Sequence, residues 1–422
     1  MWPVSWWRRA TVVCRASARV ASSVDTCLGA INDCAVGEMR AGARVSASKC
    51  NFRALTILPL LLAVFVRFLM LPFVSDDATI YLLPWMQEYR TQGVAALGGE
   101  FSNYNFPYLF LLYAASLLPV EPLYAIKFVS LIGDVLLAVS MAHLVRQYRP
   151  YGLEPATAAV VTLFIPTVLL NAAMWGQCDS FYTAFLVLSL SYLLRNDARR
   201  AWLFWGVAFA FKLQSVFFLP ALVLVSLRNR FNLMSSILAV GLWAMLSLPP
   251  MLFGRSLGST LGIYVKQSGE DRLVAGAANI YEWLPGVTAA EGRIPALIVC
   301  SAVLLGIAFP YWRAPDSPER RVLLAACVLA VCPFLLPQMH DRYFFAAEVV
   351  SLVFIGNRSL RLVPVIFSGT GLLVYVLYFS GNRYIWPLLI ASALQAVALV
   401  LLMHELMIKR RATKRNLLPI IQ

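Results

Sequence analysis

The chain has 422 residues, of which 60% are hydrophobic and only 13% charged. Soluble domains carry about 25% charged residues, so the composition excludes an ordinary soluble protein and points to one polytopic helical membrane domain. The formal net charge of +14 fits Lys and Arg gathered in cytoplasmic loops, and no basic stripe with interleaved aromatics argues for nucleic acid. The Cys and His residues show no CxxC or Cys/His spacing that would suggest zinc.

Residues 1–53 read as a disordered cytoplasmic tail, rich in arginine and small residues, with Met39 an equal candidate for the true start. No uninterrupted apolar run makes them a signal peptide. The membrane domain is expected over 54–407, and a basic cytoplasmic tail over 408–422. A first span at 54–74 is followed by a polar stretch, 75–106, part of it amphipathic enough to lie along the interface. Apolar segments recur near 107–120, 122–145, 154–172, 178–194, 201–211, 214–227, 233–253, 294–312, 322–337, 344–356, 361–379 and 384–407. Of these about 11 to 13 segments, several fall short of the roughly 20 residues a straight span needs, and must be half-helices, re-entrant or packed within protein.

Taking the first tail, 146–153, 195–200, 228–232, 313–321, 357–361 and 408–422 as cytoplasmic gathers most of the 35 Lys and Arg there. The opposite loops then hold Arg90, Lys212, Arg255, Lys266, Arg272, Arg342 and Arg383. Bringing 75–85 and the turn at 175–180 to the same outer side requires an even number of crossings between them. The proline-flanked segment 107–120 is therefore expected to be an outer-leaflet or re-entrant helix. The aromatic-containing loop 254–293 is expected to form an ordered lid.

Four polar clusters fall on that outer side. Asp76 and Asp77 are either a solvated stop to the first span or a general base taking a proton from an acceptor hydroxyl. Trp175-Gly176-Gln177-Cys178-Asp179 joins an apolar ring face to an amide and a carboxylate, a mix that suits a sugar. The same residues also read as an interfacial tryptophan with Asp179 as a helix N-cap. Lys212, with Gln214 beside it, is an ionisable residue between two apolar segments; its partner is an anion, unless it snorkels to the interface. His340 and Arg342 in MHDRY suit a phosphate clamp or an aromatic belt, with Glu348 expected to orient Arg342. Lys127 and Asp134, inside 122–145, are expected to pair with each other or with neighbours.

These motifs resemble the polytopic GT-C glycosyltransferases, specifically bacterial relatives of the second mannosyltransferase of GPI-anchor assembly. The resemblance rests on DATIYLLPW (77–85), FSNYNFPYLFLLYAASLLP (101–119), IKFVSLIGDVLLA (126–138), WGQCDSFYTAFLVLSLSYLL (175–194), AFKLQSVFFLPAL (210–222), NIYEWLP (279–285) and LPQMHDRYFFAAEVVSL (336–352), in family order. It implies an all-α, GT-C-type multi-span bundle in a bacterial inner membrane, with the active site in extracytoplasmic loops. It implies inverting transfer of a sugar, mannose favoured, from a polyprenyl-phosphate donor to a glycan, lipid or protein acceptor among membrane lipids. Asp77 aligns with the family's base better than Asp76, which remains beside it. The donor phosphate is expected at Lys212, His340 and Arg342. The sugar or acceptor is expected at Trp175, Gln177, Asp179, Gln214, Tyr104, Asn279, Tyr281 and Trp283. No cofactor is required, while Asp76, Asp77 and Asp179 leave room for a divalent cation. The family's HERY turn reads HDRY here, with Asp341 shorter than glutamate. A transporter or flippase for lipid-linked sugars is the alternative; it would show internal repeats with broken helices in corresponding halves, and no convincing repeat is present. In an assembly or anchoring protein the same acids would be ordinary loop residues.

Overall fold

A computed structural model describes residues 57–150, 152–231, 234–267, 273–381 and 384–415. The expected tail at 1–53 lies outside the described residues. The chain divides into two units, Met1–Leu61 and Leu62–Gln422. Of the first, only 57–61 are described, as the opening of an apolar helix. The second is almost wholly helical.

Long apolar helices carry the membrane character. Five described helices are long and apolar enough to cross a bilayer: α4 (Pro122–Tyr148), the segment Met234–Phe253 that contains α10 (Met234–Ser247), α13 (Ala289–Arg313), α16 (Leu362–Phe379) and α17, which runs from Ile385 to Arg415. A sixth arises if α5 (Pro155–Phe164) and α6 (Pro166–Trp175) count as one span bent by 62°. The protein is an integral membrane protein. α17 continues without a break across the boundary expected at 407/408.

The other helices are shorter, apart from α14, which equals α16 in length: α1 (Ile57–Met70), α2 (Leu83–Gln92), α3 (Phe106–Ser116), α7 (Asp179–Leu194), α8 (Ala198–Phe211), α9 (Leu213–Arg228), α14 (Pro318–Leu335) and α15 (Phe345–Phe354). α3 has 11 residues, about 16 Å of helix, roughly half the hydrocarbon thickness. α7 and α14 are buried nearly all round, as helices enclosed by others are, and with α4 and α8 they form the centre of the main core.

Where apolar runs break, the chain reaches the site. The apolar segment 154–172 is broken at Ile165–Pro166. Pro166 has no N–H to donate, and Ile165 before it adopts φ −56°, ψ 123°, outside the helical region. The last six residues of α6, Leu170–Trp175, are wound as a π-helix, as are Ala78–Leu82 ahead of α2. α8 stops at Lys212, which is extended at φ −150°, ψ 141°, and α9 restarts as a 3-10 turn over Leu213–Phe218. The loop expected as a lid contains α11 (Leu257–Leu261), α12 (Ile263–Gln267), β1 (Val274–Ala275) and a 3-10 turn over Ile280–Trp283. β1 pairs in parallel with β2 (Met339–His340), so this loop is tied to the HDRY turn.

Candidate active site

Asp77 is held from several elements at once. Ser75 donates its hydroxyl to the Trp175 carbonyl at 3.0 Å and accepts from the Ala78 amide at 3.2 Å, joining the acid-bearing segment to the end of α6. The Asp77 amide donates to the Tyr378 hydroxyl at 3.4 Å. Trp175 Nε1 donates to Asp77 Oδ2 at 3.0 Å and Gln177 Nε2 to the same oxygen at 2.8 Å. Arg342 Nη1 lies 3.5 Å from it. All three protein donors thus converge on Oδ2, and none of the described side chains donates to Oδ1. Asp76, one residue earlier, is exposed and makes no side-chain hydrogen bond or ion pair among the described residues.

The donors are themselves oriented. Gly176 turns the chain with φ +80°, a left-handed conformation glycine adopts freely, so Trp175 and Gln177 reach the same carboxylate. Trp175 is buried and stacks on Tyr378 with ring centroids 4.0 Å apart. The Tyr104 hydroxyl donates to Gln177 Oε1 at 2.9 Å, which fixes the amide so that its nitrogen meets Asp77. Desolvation pushes the Tyr104 hydroxyl up to about 12, so it keeps its proton and remains a donor.

A second acid sits one turn away. Asp179 opens α7, but Cys178 occupies the N-cap position. The carboxylate instead accepts from Lys212 Nζ at 2.7 Å and Asn171 Nδ2 at 2.8 Å, and lies 3.7 Å from Arg342 Nε. Arg342 also lies 3.7 Å from Asp341 Oδ1 and rides over the Trp175 ring at 5.2 Å. One guanidinium is therefore shared by three carboxylates, Asp77, Asp179 and Asp341, while the Lys212 charge is absorbed by Asp179. Burial pushes the Asp341 carboxyl up to about 7, against the pull of Arg342 and with Asp77 and Asp179 adding to the rise.

The structure brings together Asp77, Trp175, Gln177, Asp179, Tyr104, Lys212 and Arg342. Gln214 is buried, with no hydrogen-bond partner for its side-chain oxygen among the described residues. His340 packs its ring on Tyr343 at 5.2 Å and sits on β2. Lys212 finds an anion as its partner, Asp179. One expectation needs correction. Glu348 does not orient Arg342: its carboxylate accepts from Thr167 at 2.5 Å and Ser368 at 2.7 Å, locking α15 to α6 and α16. Lys127 and Asp134 pair with neighbours, not with each other: Lys127 binds the carbonyls of Met70, Leu71 and Phe73, and Asp134 binds Arg67 and Ser180.

Asn279, Tyr281 and Trp283 are engaged elsewhere. Tyr281 donates to the Leu335 carbonyl at 2.6 Å, and Trp283 Nε1 to Ser392 at 3.2 Å. Asn279 caps its own 3-10 turn. These side chains pin the long loop to α14 and α17. The sequence reading missed Tyr378, Asn171 and Tyr375, whose hydroxyl accepts from Asn171 at 3.0 Å. Tyr375 and Tyr378 are spaced three apart near the end of an apolar helix, a pattern that also marks an aromatic belt. Among the described residues no group of three or more His, Cys, Asp or Glu side chains is arranged to hold a metal ion.

No family model matches the chain, and no curated protein sequence matches it. Among solved structures, ArnT from Cupriavidus metallidurans in the apo state aligns over 86% of this chain and 79% of its own, at TM-score 0.50 and 16% identity. The chain has the GT-C fold. The same ArnT bound to undecaprenyl phosphate aligns over the same shares at TM-score 0.48 and 14% identity. In this GT-C bundle the carboxylate cluster lies where the segment after α1, the α6–α7 turn, the α8–α9 break and the HDRY turn converge.

Proposed function

We propose that the protein is an inverting glycosyltransferase that moves a sugar, mannose favoured, from a polyprenyl-phosphate donor to an acceptor on the extracytoplasmic side of a bacterial inner membrane. Residues 54–407 form the membrane domain of this enzyme, between cytoplasmic tails. The observation that carries the reading is the Asp77 carboxylate: three donors fix Oδ2 and leave Oδ1 open. The fold shared with ArnT, a GT-C glycosyltransferase, supports the same class.

In the proposed reaction Asp77 Oδ1 takes the proton of the acceptor hydroxyl, and the acceptor oxygen forms the new bond to the anomeric carbon. The bond from that carbon to the donor phosphate breaks, and polyprenyl phosphate leaves with the electron pair. Arg342 meets the charge that develops on the phosphate, with His340 beside it. Lys212 acts on the phosphate through Asp179: by neutralising that acid, it leaves Arg342 free to turn to the donor. Trp175, Gln177, Asp179, Tyr104 and Gln214 bound the sugar side. Asn279, Tyr281 and Trp283 serve the acceptor by holding the long loop in place. A phosphate is already a good leaving group, so the chemistry calls for no cofactor and no general acid. An apolar groove of about 380 Å³ along α9, lined by Val216, Leu219, Pro220, Val223, Leu224 and Leu227, suits part of an isoprenoid tail.

The test is transfer by the purified protein in lipid vesicles, using polyprenyl-phosphate mannose and hydroxyl acceptors, with glucose, galactose and arabinose donors in competition. Asp77→Asn is expected to lose about a thousandfold in kcat; full transfer by that variant would overturn the base. Mass spectrometry of cell-envelope glycans with and without the gene identifies the acceptor.

A further inference from the structure

Lys127 is a charged side chain with no measurable exposure, in the second turn of α4, and the reaction just described makes no use of it. No carboxylate among the described residues pairs with it. Its ammonium instead donates to the carbonyls of Met70 at 3.3 Å and Leu71 at 2.8 Å, and to that of Phe73. These are the final carbonyls of α1 and of the turn after it, the groups a helix C-terminus leaves without intrahelical partners. A cation there also meets the negative end of the helix dipole. Four residues beyond Phe73 the chain reaches Asp77.

The same side chain lies beside the opposite wall of the site. A Cβ built on Gly176 would lie 3.7 Å from Lys127 Cγ and 3.5 Å from Ile126 Cγ2. Gly176 is the turn between Trp175 and Gln177, the two residues that donate to Asp77 Oδ2. About two turns further along α4, Asp134 takes Arg67 of α1 at 2.8 Å and Ser180 of α7 at 2.7 Å, so α4 grips α1 at a second level. Ser180 directly follows Asp179.

We infer that Lys127 is a positioning residue: its head fixes the segment that delivers Asp77, its stem supports the turn that delivers Trp175 and Gln177, and it thereby sets the distance between acid and donors. The kinetic part of this inference rests on Asp77 acting as the base; the structural part does not. An ammonium satisfied by three carbonyls and sealed from water is costly unless every partner is present, which suits a ruler better than a mobile catalytic group.

The experiment compares wild type, Lys127→Met and Lys127→Arg in detergent. Hydrogen–deuterium exchange is expected to rise in Lys127→Met both in 71–82 and in 171–177, with peptides of α14 unchanged. Lys127→Arg, which keeps a cation able to reach several carbonyls, is expected to recover most of the protection. If either segment exchanges as in wild type in Lys127→Met, the inference is overturned. If the methionine variant does not fold, Lys127→Gln takes its place: raised exchange in both segments supports the inference, and raised exchange in one alone or in neither overturns it. With polyprenyl-phosphate mannose as donor, kcat of Lys127→Met is expected to fall roughly 10- to 100-fold, the effect of a misplacement of about 1 Å, while KM stays within about twofold. Adding Gln177→Ala should then cost little more, because both changes disturb one contact; fully additive losses overturn the positioning role. Asp77→Asn is run in parallel. Full transfer by it removes the base reading and leaves exchange to decide the Lys127 inference. An inactive Asp77→Asn with a fully active Lys127→Met removes the Lys127 inference alone.

Discussion

The two ends of α14 hold arginines in opposite ways. At its start, Arg321 binds Asp316 and the Leu193 carbonyl, and Arg320 donates to the carbonyls of Leu406 at 2.9 Å and Pro310 at 3.1 Å. Arg228 nearby donates to the carbonyls of Tyr311 and Ala314. The Leu193, Pro310, Tyr311 and Ala314 carbonyls belong to the ends of α7 and α13, where the guanidinium groups close helix termini, and Leu406 ties α14 to α17. Past the other end, about 27 Å along the helix, Arg342 has only long contacts, 3.5 Å to Asp77 and 3.7 Å to Asp179 and Asp341, and its Nε makes no hydrogen bond. A guanidinium held by close acceptors is architecture. One divided among three distant acids keeps donors in hand for a fourth anion, such as the proposed donor phosphate.

Exchanging alanine for each arginine should separate the two kinds of site most sharply. Arg342→Ala is expected to lower kcat/KM about a thousandfold, as loss of a transition-state donor does, with the thermal midpoint little changed. Arg321→Ala should do the reverse, costing about 1–3 kcal/mol because it takes the ion pair from half-buried Asp316, with turnover per folded molecule retained. Turnover and thermal unfolding measured on the same samples decide this.

Lys212→Met probes the shared charge next. Freed from its ammonium, Asp179 should draw Arg342 away and raise the donor KM about tenfold, a change of about 1.4 kcal/mol. Lys212→Met combined with Asp179→Asn should recover most of that loss, because removing both partners leaves no uncompensated charge. A double variant worse than the single one would break the argument.

Asp341 gives a smaller, pH-dependent signal. Its folded carboxyl titrates near 7 against an ordinary value of 3.8, so between those limits the folded state binds the extra proton. Stability is therefore full below about 4 and declines as pH rises towards 7. Asp341→Asn should flatten that decline in thermal midpoint. It should also flatten a rise in donor KM above pH 7, where ionised Asp341 competes for Arg342. The smallest effect is expected at Asp76: being exposed and unpaired among the described side chains, its change to Asn should alter kcat/KM by about twofold or less.

Much of the cluster was legible because charge inside apolar sequence is conspicuous. Asp77, Asp179, Lys212 and Arg342 stand out on that ground alone, and proline and glycine mark the breaks that carry them. The partnerships were not legible. Asp77 and Tyr378 are separated by 301 positions, and Lys212 and Asp179 by 33, so only packing assigns them. Glu348 looked like a companion to Arg342 because it is close in sequence, yet Thr167 and Ser368 claim it from other helices. The short apolar runs were legible as something other than straight spans, since helices such as α7 and α9 are too short to cross as single rods. The mannose expectation rests on motifs; the structural likeness is one of fold.

The π-winding of Leu170–Trp175 makes chain length itself a determinant of the site. A π turn is an α-helix carrying one extra residue. Deleting a residue there would restore α-winding, rotate Trp175 by about 100° and shift it along the axis by about 1.5 Å, swinging the indole off Asp77. Substitution of half-buried Leu170 or Met174 should be tolerated where deletion of either is not. Over these six residues the site is written in the spacing as much as in the letters, and a chain of similar composition but one residue shorter would carry a different mouth.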